Sequence, residues 1–340
     1  MWQTAATTVY ARLPFLPNKP MKKFLTLCAL VVLCFSAVSW GGEKPLRLLY
    51  WNIQNGMWAG QEDNYDAFVS WVKGCRPDIC VWCEAETIYK TGTDVKMPAE
   101  DRYLVGGWKK LARRYGHRYI YVGAHRDSYP QVITSRYPIK NVARITGSAP
   151  DSIVVHGAAW AKLRVRGKTL NIVALHASPL ACDYRLKTAS KEEQKADAAN
   201  HGGDRYRRRE MEVICRNTIL TDPAASEDLW LMMGDFNAVS RRDNAFYCYP
   251  EDDLRFLAHD YILDNTPYLD VVKEKHPDAF FRSAQSNTRI DFVYATPALM
   301  DRVIGADIIE DTYTTPVRSS EVHGFFLPSD HLPILIDFSL

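Results

Sequence analysis

The sequence predicts an α/β fold of the α+β kind, a four-layer sandwich in which two packed mixed β-sheets are flanked by helices. Strand-like runs recur along the chain, and several are apolar at nearly every position, as in LWLMM and LPILI. Such strands are covered on both faces. Helical stretches link some strands and a hairpin links others, which indicates mixed sheets with helices outside. No linker divides the elements, so we expect a single domain over 40–340.

The strand-like runs are short and are bounded by polar or turn-forming residues. They are LRLLYWNI, DICVWCE, YIYVG, QVITS, IVVHGAAWAKLRV, TLNIVALHAS, DLWLMMGDF, RIDFVYAT and LPILIDFSL. The stretch GAAWAKLRVRGKTLNIVALHAS predicts a β-hairpin that turns at Gly167-Lys168.

Three helices are expected between these strands. In EDNYDAFVSWVKGCRP the apolar residues recur at helical spacing, and Asp63 or Asn64 can cap the start. A second helix is expected around 101–115 and a third, rich in charge, over 205–221. The segment 180–206 is polar and the least periodic, so we expect a long loop there, either a lid or binding loop or a solvated insertion without a role.

The first 39 residues are predicted to be an upstream extension followed by a secretory signal peptide. From Met21 the chain reads MKKFLTLCALVVLCFSAVSW, which has a basic start, an apolar run too short to span a bilayer and small residues before a cleavage site. Met21 is therefore the expected start, and the mature protein is expected to be secreted or periplasmic, monomeric and without a membrane span. Lipid anchoring at Cys34 is disfavoured because Leu33 is too large for the usual lipoprotein site.

The charge balance weakens one class of function. The full chain has 42 Lys and Arg against 40 Asp and Glu, and removal of 1–39 deletes four basic residues and no acid. The formal charge thus moves from +2 to −2, with 38 basic against 40 acidic residues. Proteins that hold long nucleic acid mainly by charge are usually more basic.

The cysteine spacing does not predict a metal cluster. Cys75, Cys80 and Cys83 resemble an iron–sulfur pattern in sequence. However, Cys80 and Cys83 lie on one strand at an odd separation, so they point to opposite faces and cannot share a metal. We expect them to be buried as small apolar thiols.

Acids, amides and imidazoles stand at the ends of the most apolar strands, where ligands bind when strand ends of one sense gather. Carboxylates and amides without cysteine clusters suit a hard cation such as Mg²⁺ or Mn²⁺. Histidines with nearby acids suit proton transfer to an attacking water and stabilisation of a phosphoryl group. The pattern predicts metal-assisted hydrolysis of a phosphate ester. These residues are Asn52, Glu84, His176, Asp235, Asn237, Asp291, Asp330 and His331.

The motifs WNIQNG, PDICVWCE, LHASP, GDFNA, RIDFVY and SDHLPI stand in the order of the endonuclease/exonuclease/phosphatase superfamily, which has the deoxyribonuclease-I-like fold. The chain resembles this family over residues 46–340. The resemblance implies that Glu84 is the principal metal ligand, with Asn52 and Asp330 close to the ion.

The same resemblance implies the roles of the remaining residues. Asp235 and Asn237 would orient the attacking water and the phosphate, and His176 would assist the leaving group or the non-bridging oxygens. His331 would act as base or phosphate stabiliser, held in its tautomer by Asp291. The sequence does not decide whether Asp235 or His331 takes the proton. The chain departs from the family at Cys83, where Gln is usual, and at Glu86.

Other residues are candidates for choosing the substrate. Arg241 and Arg242 follow the GDFNAVS loop and could hold a second phosphate, and His125 and Arg126 could border the cleft. The arginines of RYRRRE at 205–210 are expected to be exposed rather than bound. Cys182 and Cys248 follow catalytic loops, and an oxidised pair could tether the 180s loop.

The sequence therefore predicts a secreted, Mg²⁺- or Mn²⁺-dependent phosphoesterase that hydrolyses a phosphodiester or a phosphomonoester. Its phosphate-ester substrate could be a nucleic acid, a phospholipid or sphingolipid headgroup, or a soluble sugar or inositol phosphate. A secreted endonuclease acting on DNA or RNA is the first alternative. A non-catalytic binding module that retains the fold is the alternative from another class, which the intact catalytic set disfavours.

Overall fold

The computed structural model describes residues 44–57, 60, 63–90, 93–98, 102, 107–123, 129–145 and 153–340. The strands of these residues are β1 (Leu46–Asn52), β2 (Ile79–Cys83), β3 (Tyr119–Val122), β4 (Val132–Ser135), β5 (Ile139–Ile145), β6 (Ala158–Val165), β7 (Lys168–His176), β8 (Leu229–Asp235), β9 (Leu269–Asp270), β10 (Asp291–Ala295), β11 (Val303–Ile308), β12 (Val317–Arg318), β13 (Phe326–Leu327) and β14 (Ile334–Phe338).

Helices lie between many of these strands. They are α1 (Asp66–Cys75), α2 (Trp108–Arg114), α3 (Lys191–Ala199), α4 (Gly202–Arg216), α5 (Asn244–Tyr247), α6 (Leu257–Asn265), α7 (Val271–Lys275) and α8 (Pro297–Met300). A further helical turn covers Gln54–Met57, and 3₁₀ turns cover Tyr184–Leu186, Ile219–Thr221, Arg241–Asp243 and Leu254–Phe256.

Two six-stranded sheets form the centre of the fold. The first has the order β11-β14-β1-β2-β4-β3 and the second the order β5-β6-β7-β8-β10-β9, with β12 and β13 paired separately. Within the first sheet β1 and β2 are parallel, and within the second β7 and β8 are parallel, whereas the other pairs are antiparallel. Both sheets are therefore mixed, as the sequence predicted.

Successive side chains of a strand point to opposite faces of its sheet, so they form one core between the two sheets and one on the outer face of each sheet. On β1, Leu46, Leu48 and Tyr50 pack between the sheets, whereas Leu49 and Trp51 face the opposite side, towards α1 and α2. The second sheet buries its outer face against α4 and α6 in the same way. Both faces of each sheet are thus covered, which explains the uninterrupted apolar strands and confirms the four-layer sandwich.

The predicted hairpin is present, but its turn lies one residue earlier than expected. Val165 pairs with Lys168, so the turn residues are Arg166 and Gly167, with φ of 49° and 80°. Positive φ at both positions fits the twist of two-residue hairpins. The preceding residues VVHG do not extend the strand, because β6 begins only at Ala158.

The three predicted helices correspond to α1, α2 and α4. The side chain of Asp63 accepts a hydrogen bond from the backbone N–H of Ala67 at 3.0 Å near the start of α1. The helix α4 begins before 205 and is followed by a 3₁₀ turn that reaches Thr221. The second prediction corresponds to α2, and part of the range 101–107 lies outside the described residues.

The prediction of a long irregular loop over 180–206 was wrong, since α3 lies within it. Ser190 and Glu193 form a capping box at its start, and none of the residues of α3 is buried. Its residues are good helix formers, yet without a buried apolar stripe the helix leaves no periodic signal in the sequence.

Residues Lys44–Leu340 form one compact unit. The predicted extension and signal peptide at 1–39, with Met21 and Cys34, lie outside the described residues. Among the described residues, no helix combines the length and the apolar character that crossing a membrane requires.

The described cysteines are all free thiols. Cys80 belongs to the outer core beneath α1 and Cys83 to the core between the sheets, which confirms that they face opposite ways. Cys182 is buried and Cys248 is exposed, and both are thiols, so the structure does not contain the suggested disulfide.

Candidate active site

The strand ends of both sheets meet at one edge of the sandwich. Asn52 and Cys83 end the parallel strands β1 and β2, and His176 and Asp235 end the parallel strands β7 and β8. The antiparallel neighbours β10 and β14 begin at this edge, so that Asp291 pairs directly with Asp235. The topology therefore brings together side chains that are far apart in the sequence.

A cavity of about 320 Å³ opens at this edge. It has the size and mixed lining of a small-molecule site. It is lined by Gln54, Asn55, Glu84, Tyr129, His156, His176, Pro179, Asp235, Asn237, Asp330 and His331.

Asn52 is fully buried and lies between two carboxylates. Its Nδ2 donates to Glu84 Oε1 at 3.2 Å and to Asp235 Oδ2 at 3.0 Å, while its Oδ1 accepts from the backbone N–H of Gln54 at 3.1 Å. Asn52 thus directs its amide nitrogen to the two acids, which favours the positioning of these acids over direct ligation of a metal through its oxygen.

Glu84 follows β2 in a left-handed conformation with φ of 54°. Its Oε2 accepts a hydrogen bond of 3.0 Å from the backbone N–H of Asn55, within the helical turn Gln54–Met57, whose residues also have positive φ. A Cβ on Gly56 would come within 2.7 Å of backbone atoms of Glu86 and Thr87, so only glycine allows this close approach. The turn therefore fixes the Glu84 carboxylate at the cavity.

Asp235 and Asn237 form a compact turn after β8. The backbone N–H of Asn237 donates to Asp235 Oδ1 at 2.9 Å, and Asn237 Nδ2 donates to the carbonyl of Ala177 at 3.1 Å. Asn237 has φ of 48°, a left-handed conformation that Asn tolerates better than most residues. Burial raises the pKa of the Asp235 carboxyl, and the neighbouring Asp291 raises it further, although His331 opposes this.

His331 is held by a buried carboxylate on the other sheet. Its Nδ1 lies 2.7 Å from Asp291 Oδ2, and its Nε2 lies 3.7 Å from Asp235 Oδ2. Burial alone would lower the pKa of His331, but Asp291, Asp330 and Asp235 together raise it well above its usual value. These acids thus favour the protonated imidazole, and Nε2 lies 3.7 Å from Asp235 Oδ2.

His176 lies on the opposite side of Asp235. Its Nε2 is 3.7 Å from Asp235 Oδ2 and 4.0 Å from Glu84 Oε1, and its ring stacks on His156 with centroids 4.4 Å apart. Burial lowers the pKa of His176 well below its usual value, and His156 and His331 lower it further. The surroundings of His176 therefore favour its neutral form.

Asp330 lines the same cavity, with Oδ1 at 3.8 Å from His331 Nε2. Burial raises the pKa of the Asp330 carboxyl and also that of the Glu84 carboxyl. The charge of Asp330 raises the pKa of Glu84 further. Several carboxylates therefore repel one another around one space, and a cation there would relieve that repulsion.

The donor set fits a divalent cation. Two groups in the described residues have ligand atoms within 4.8 Å of one another: Glu84, His176 and Asp235 form one, and Asp235, Asp291 and His331 the other. Carboxylate oxygens predominate, as Mg²⁺ and Mn²⁺ prefer. Glu84 and Asp330 are partly exposed to the cavity, whereas Asp291 is enclosed by hydrogen bonds from Tyr50 and Ser283.

The arginines proposed for substrate contact are not free for that role. Arg241 pairs with Asp260 at 2.7 Å, and Arg242 pairs with Glu274. Neither lines the cavity, so the structure does not bring them together with the other site residues. His125 and Arg126 lie outside the described residues.

The arginines of RYRRRE differ from one another. Arg205, Arg208 and Arg209 are exposed, as expected. Arg207 is buried, and its Nη1 donates to the carbonyls of Ser178 and Leu180, so the expectation was wrong for this residue.

Sequence reasoning missed residues that support His176. His156 belongs to a run that was assigned to a strand, so its position beside His176 was not recognised. Glu210 is fully buried on α4, where Oε1 accepts from the backbone N–H of Val155 at 2.9 Å and Oε2 from that of Ser178 at 2.8 Å. Glu210 thereby joins the loop that carries His156 to the loop that follows His176. A charged residue at helical spacing gives no sequence signal of such burial.

Comparison with known proteins agrees with this geometry. The profile of the Endonuclease/Exonuclease/phosphatase family matches residues 49–331. No curated protein matches the chain significantly.

Several solved structures share the fold at low sequence identity. An AP endonuclease from Archaeoglobus fulgidus has a TM-score of 0.53 and 18% identity, over 87% of this chain and 100% of that one. An endonuclease/exonuclease/phosphatase from Beutenbergia cavernae has a TM-score of 0.55 and 16% identity, over 88% of this chain and 72% of that one. A 3′-5′ exonuclease from Neisseria meningitidis has a TM-score of 0.52 and 16% identity, over 87% of this chain and 100% of that one.

Proposed function

The chain belongs to the endonuclease/exonuclease/phosphatase family, and on that premise we propose that it is a metal-dependent phosphoesterase. It hydrolyses a phosphodiester or a phosphomonoester by attack of an activated water molecule. The observation that carries this proposal is the convergence of Asp235, His331 and Glu84 at one cavity, although they come from both sheets.

Glu84 and Asp330 would hold the divalent cation, and Asn52 orients the acids beside it. Asn52 suits this role because its Nδ2 already spans Glu84 and Asp235. A bound Mg²⁺ or Mn²⁺ would neutralise the negative charge of the phosphoryl oxygens.

Asp235 accepts the proton of the attacking water. Its Oδ1 accepts from the backbone N–H of Asn237. Its Oδ2 accepts from Asn52 Nδ2 and lies 3.7 Å from Nε2 of both His176 and His331, so we assign Oδ2 as the oxygen that acts as base. A pKa raised by burial brings Asp235 closer to the pH at which a general base is effective.

His331 stabilises the phosphoryl group as a cation rather than taking the first proton. Asp291 accepts a hydrogen bond from Nδ1, which leaves Nε2–H free to donate to a non-bridging or leaving oxygen. The neutral ring of His176 and the amide of Asn237 complete the cavity wall that faces the phosphate.

A nuclease is the second candidate. It is favoured by the likeness in fold to an AP endonuclease and a 3′-5′ exonuclease. The formal charge of −2 for residues 40–340 disfavours long nucleic acid held mainly by charge.

A panel of phosphate esters tests the proposal. The purified protein is assayed with Mg²⁺, Mn²⁺ or EDTA on bis-p-nitrophenyl phosphate, p-nitrophenyl phosphate, plasmid DNA, RNA, sphingomyelin and inositol phosphates. We expect hydrolysis of at least one ester that needs the cation and is lost in Glu84→Gln and His331→Ala. Activity that survives EDTA and both substitutions would contradict the assignment.

We further propose that the protein is exported, because residues 21–39 combine a basic start, an apolar run and small residues. Expression of the full chain followed by N-terminal sequencing tests this. A mature protein that begins close to residue 40 outside the cytoplasm is the expected result, and retention of Met21 in a cytoplasmic product would contradict it.

A further inference from the structure

The loop after β8 carries Asn237 in a left-handed backbone conformation, with φ of 48°. A conformation of this kind persists where surrounding contacts hold it. The backbone N–H of Asn237 donates to Asp235 Oδ1 at 2.9 Å, and its Nδ2 donates to the carbonyl of Ala177 at 3.1 Å. These contacts hold the residue from the ends of β7 and β8. The chain that leaves Asn237 is held from another layer of the fold.

A buried histidine on α6 makes that contact. His259 is fully buried, and its Nε2 lies 3.1 Å from the carbonyl oxygen of Ala238, the residue after Asn237. Because a carbonyl oxygen only accepts, Nε2 carries the hydrogen and donates it. The backbone hydrogen bonds of the described residues include none to this carbonyl. The imidazole is therefore the group that fixes the direction of the chain after Asn237.

Tyr294 on β10 orients the same ring. Its hydroxyl oxygen lies 2.7 Å from Nδ1 of His259. With the hydrogen of the neutral ring on Nε2, Nδ1 is an acceptor, so the hydroxyl donates to it. Burial lowers the pKa of His259 to about 3, which favours the neutral ring. Both ring nitrogens are thus bonded, and the tautomer that donates to the loop is selected.

The surroundings of His259 do not otherwise call for a polar side chain. The ring packs against Phe236 and Phe292, with centroids 5.1 and 4.0 Å away. The other buried residues of α6, Ala258 and Ile262, are apolar members of the same core. An apolar residue in place of a bonded polar one can be nearly neutral for stability. What the imidazole adds to packing is the hydrogen bond to the loop.

The outer helical layer reaches the other loop of the site in the same way. Glu210 on α4 accepts from the backbone N–H of Ser178, in the loop after β7. His259 on α6 donates to the loop after β8. His259 is not among the residues that line the active-site cavity, so its effect on the site passes through the loop.

We propose that His259 is a positioning residue, which holds the amide of Asn237 at the phosphate through the carbonyl of Ala238. This inference rests on the proposed phosphoesterase function, because that function places Asn237 beside the phosphate. A misplacement of about 1 Å in a positioned group can cost about 10²-fold in rate. The hydrogen bond therefore affects kcat although the ring does not touch the substrate.

Three substitutions separate positioning from packing. His259→Leu removes the donor and keeps an apolar side chain in the core. His259→Gln retains a donor, since the side-chain nitrogen of glutamine can take the place of Nε2. Ile262→Ala is the matched control, because Ile262 is fully buried on the same helix and in the same core, and its loss weakens the packing without removal of a hydrogen bond to the loop. Thermal unfolding shows that each variant is folded.

The first measurement is kcat for bis-p-nitrophenyl phosphate. We expect His259→Leu to lower kcat by about 10- to 10²-fold, whereas His259→Gln retains most of it and Ile262→Ala stays within about twofold. Equal losses in His259→Leu and Ile262→Ala would overturn the proposal, and so would a His259→Gln variant as slow as His259→Leu.

A double-mutant cycle tests whether His259 acts through Asn237. Asn237→Gly removes the amide, and glycine suits the left-handed φ at this position. In the Asn237→Gly protein, the addition of His259→Leu should cause no further loss of kcat, because both substitutions remove the same contribution. A loss as large as in the unsubstituted background would show that His259 acts by another route and would overturn the proposal.

Amide hydrogen exchange tests the positioning without reference to activity. If the unsubstituted protein hydrolyses no ester with either cation, the phosphoesterase function fails first, and this measurement decides the role of His259 separately. We expect the backbone N–H of Asn237 to exchange at least about tenfold faster in His259→Leu than in Ile262→Ala. Equal exchange in the two variants would overturn the proposal.

Discussion

Asp291 Oδ2 and His331 Nδ1 lie 2.7 Å apart, and this hydrogen bond joins the two sheets of the sandwich. Asp291 begins β10 in the second sheet, and His331 precedes β14 in the first. Tyr50 and Ser283 donate to the same carboxylate at 2.7 and 2.8 Å. The carboxylate is therefore fixed in place and accepts from His331 without reorganisation.

Asp291→Asn should lower kcat by about 10²- to 10⁴-fold with little change in KM, because an amide neither fixes the tautomer of His331 nor favours its cation. Steady-state kinetics on the preferred ester checks this. The substitution should also lower the pKa of the imidazole, measurable by NMR titration. A kcat within about twofold of the unsubstituted value would show that the hydrogen bond does not contribute to catalysis.

Glu84→Gln should weaken Mn²⁺ binding by at least about tenfold, since it removes a negative oxygen ligand. Isothermal calorimetry measures the affinity. Glu86→Gln is the matched control, because Glu86 lies two residues away and pairs with Arg102 at 3.7 Å. Equal loss of affinity in both variants would remove Glu84 from its proposed role.

Glu210→Gln should lower kcat by about tenfold. The carboxylate accepts hydrogen bonds from two backbone N–H groups, and the NH₂ of glutamine would face one of these donors instead of accepting from it. The loop that follows His176 would then shift. We also expect a loss of about 1–3 kcal/mol in the free energy of unfolding, measured with urea. Glu212 on the same helix pairs with exposed Arg216, so Glu212→Gln serves as control. Unchanged kinetics would assign Glu210 a purely structural role.

His117 should make the protein less stable as the pH falls. The buried ring bonds to Thr134 Oγ1 at 2.9 Å and to the carbonyl of Pro77 at 3.0 Å, and burial lowers its pKa to about 4. Between pH 6.5 and 4 the unfolded chain binds the proton that the folded ring refuses, so the stability contributed by His117 is lost as the pH falls through this window.

Urea unfolding at pH 7 and pH 4.5 measures this effect against His117→Gln. The stability advantage of the unsubstituted protein should shrink by about 2–3 kcal/mol at the lower pH. An advantage that does not depend on pH would mean that the pKa of the ring is the same in the folded and the unfolded chain.

The sequence predicted the layers and the strand ends well, because both follow from local patterns. Apolar runs such as LWLMM mark strands covered on both faces, and a polar residue at the end of such a run marks the edge where ligands bind. Asp235 and His176 were identified in this way. Glu84 and His331 were identified in the same way, and the resemblance to the family then implied their roles.

The parts that were missed depend on partners distant in the sequence. Arg241 was expected to be free, but Asp260 neutralises it across a loop and a turn. The burial of Arg207 and Glu210 follows from the packing of α4 against the loop after β7, which no local pattern encodes. The helix α3 escaped detection because it has no apolar face.

The central claim is that Glu84 and Asp330 hold one divalent cation beside Asp235 and His331. Crystals grown with Mn²⁺ test this directly through the anomalous signal of the metal. We expect a peak in the cleft, with oxygens of Glu84 and Asp330 at about 2.2 Å. The absence of a peak in the cleft, at a Mn²⁺ concentration that saturates hydrolysis, would contradict the account.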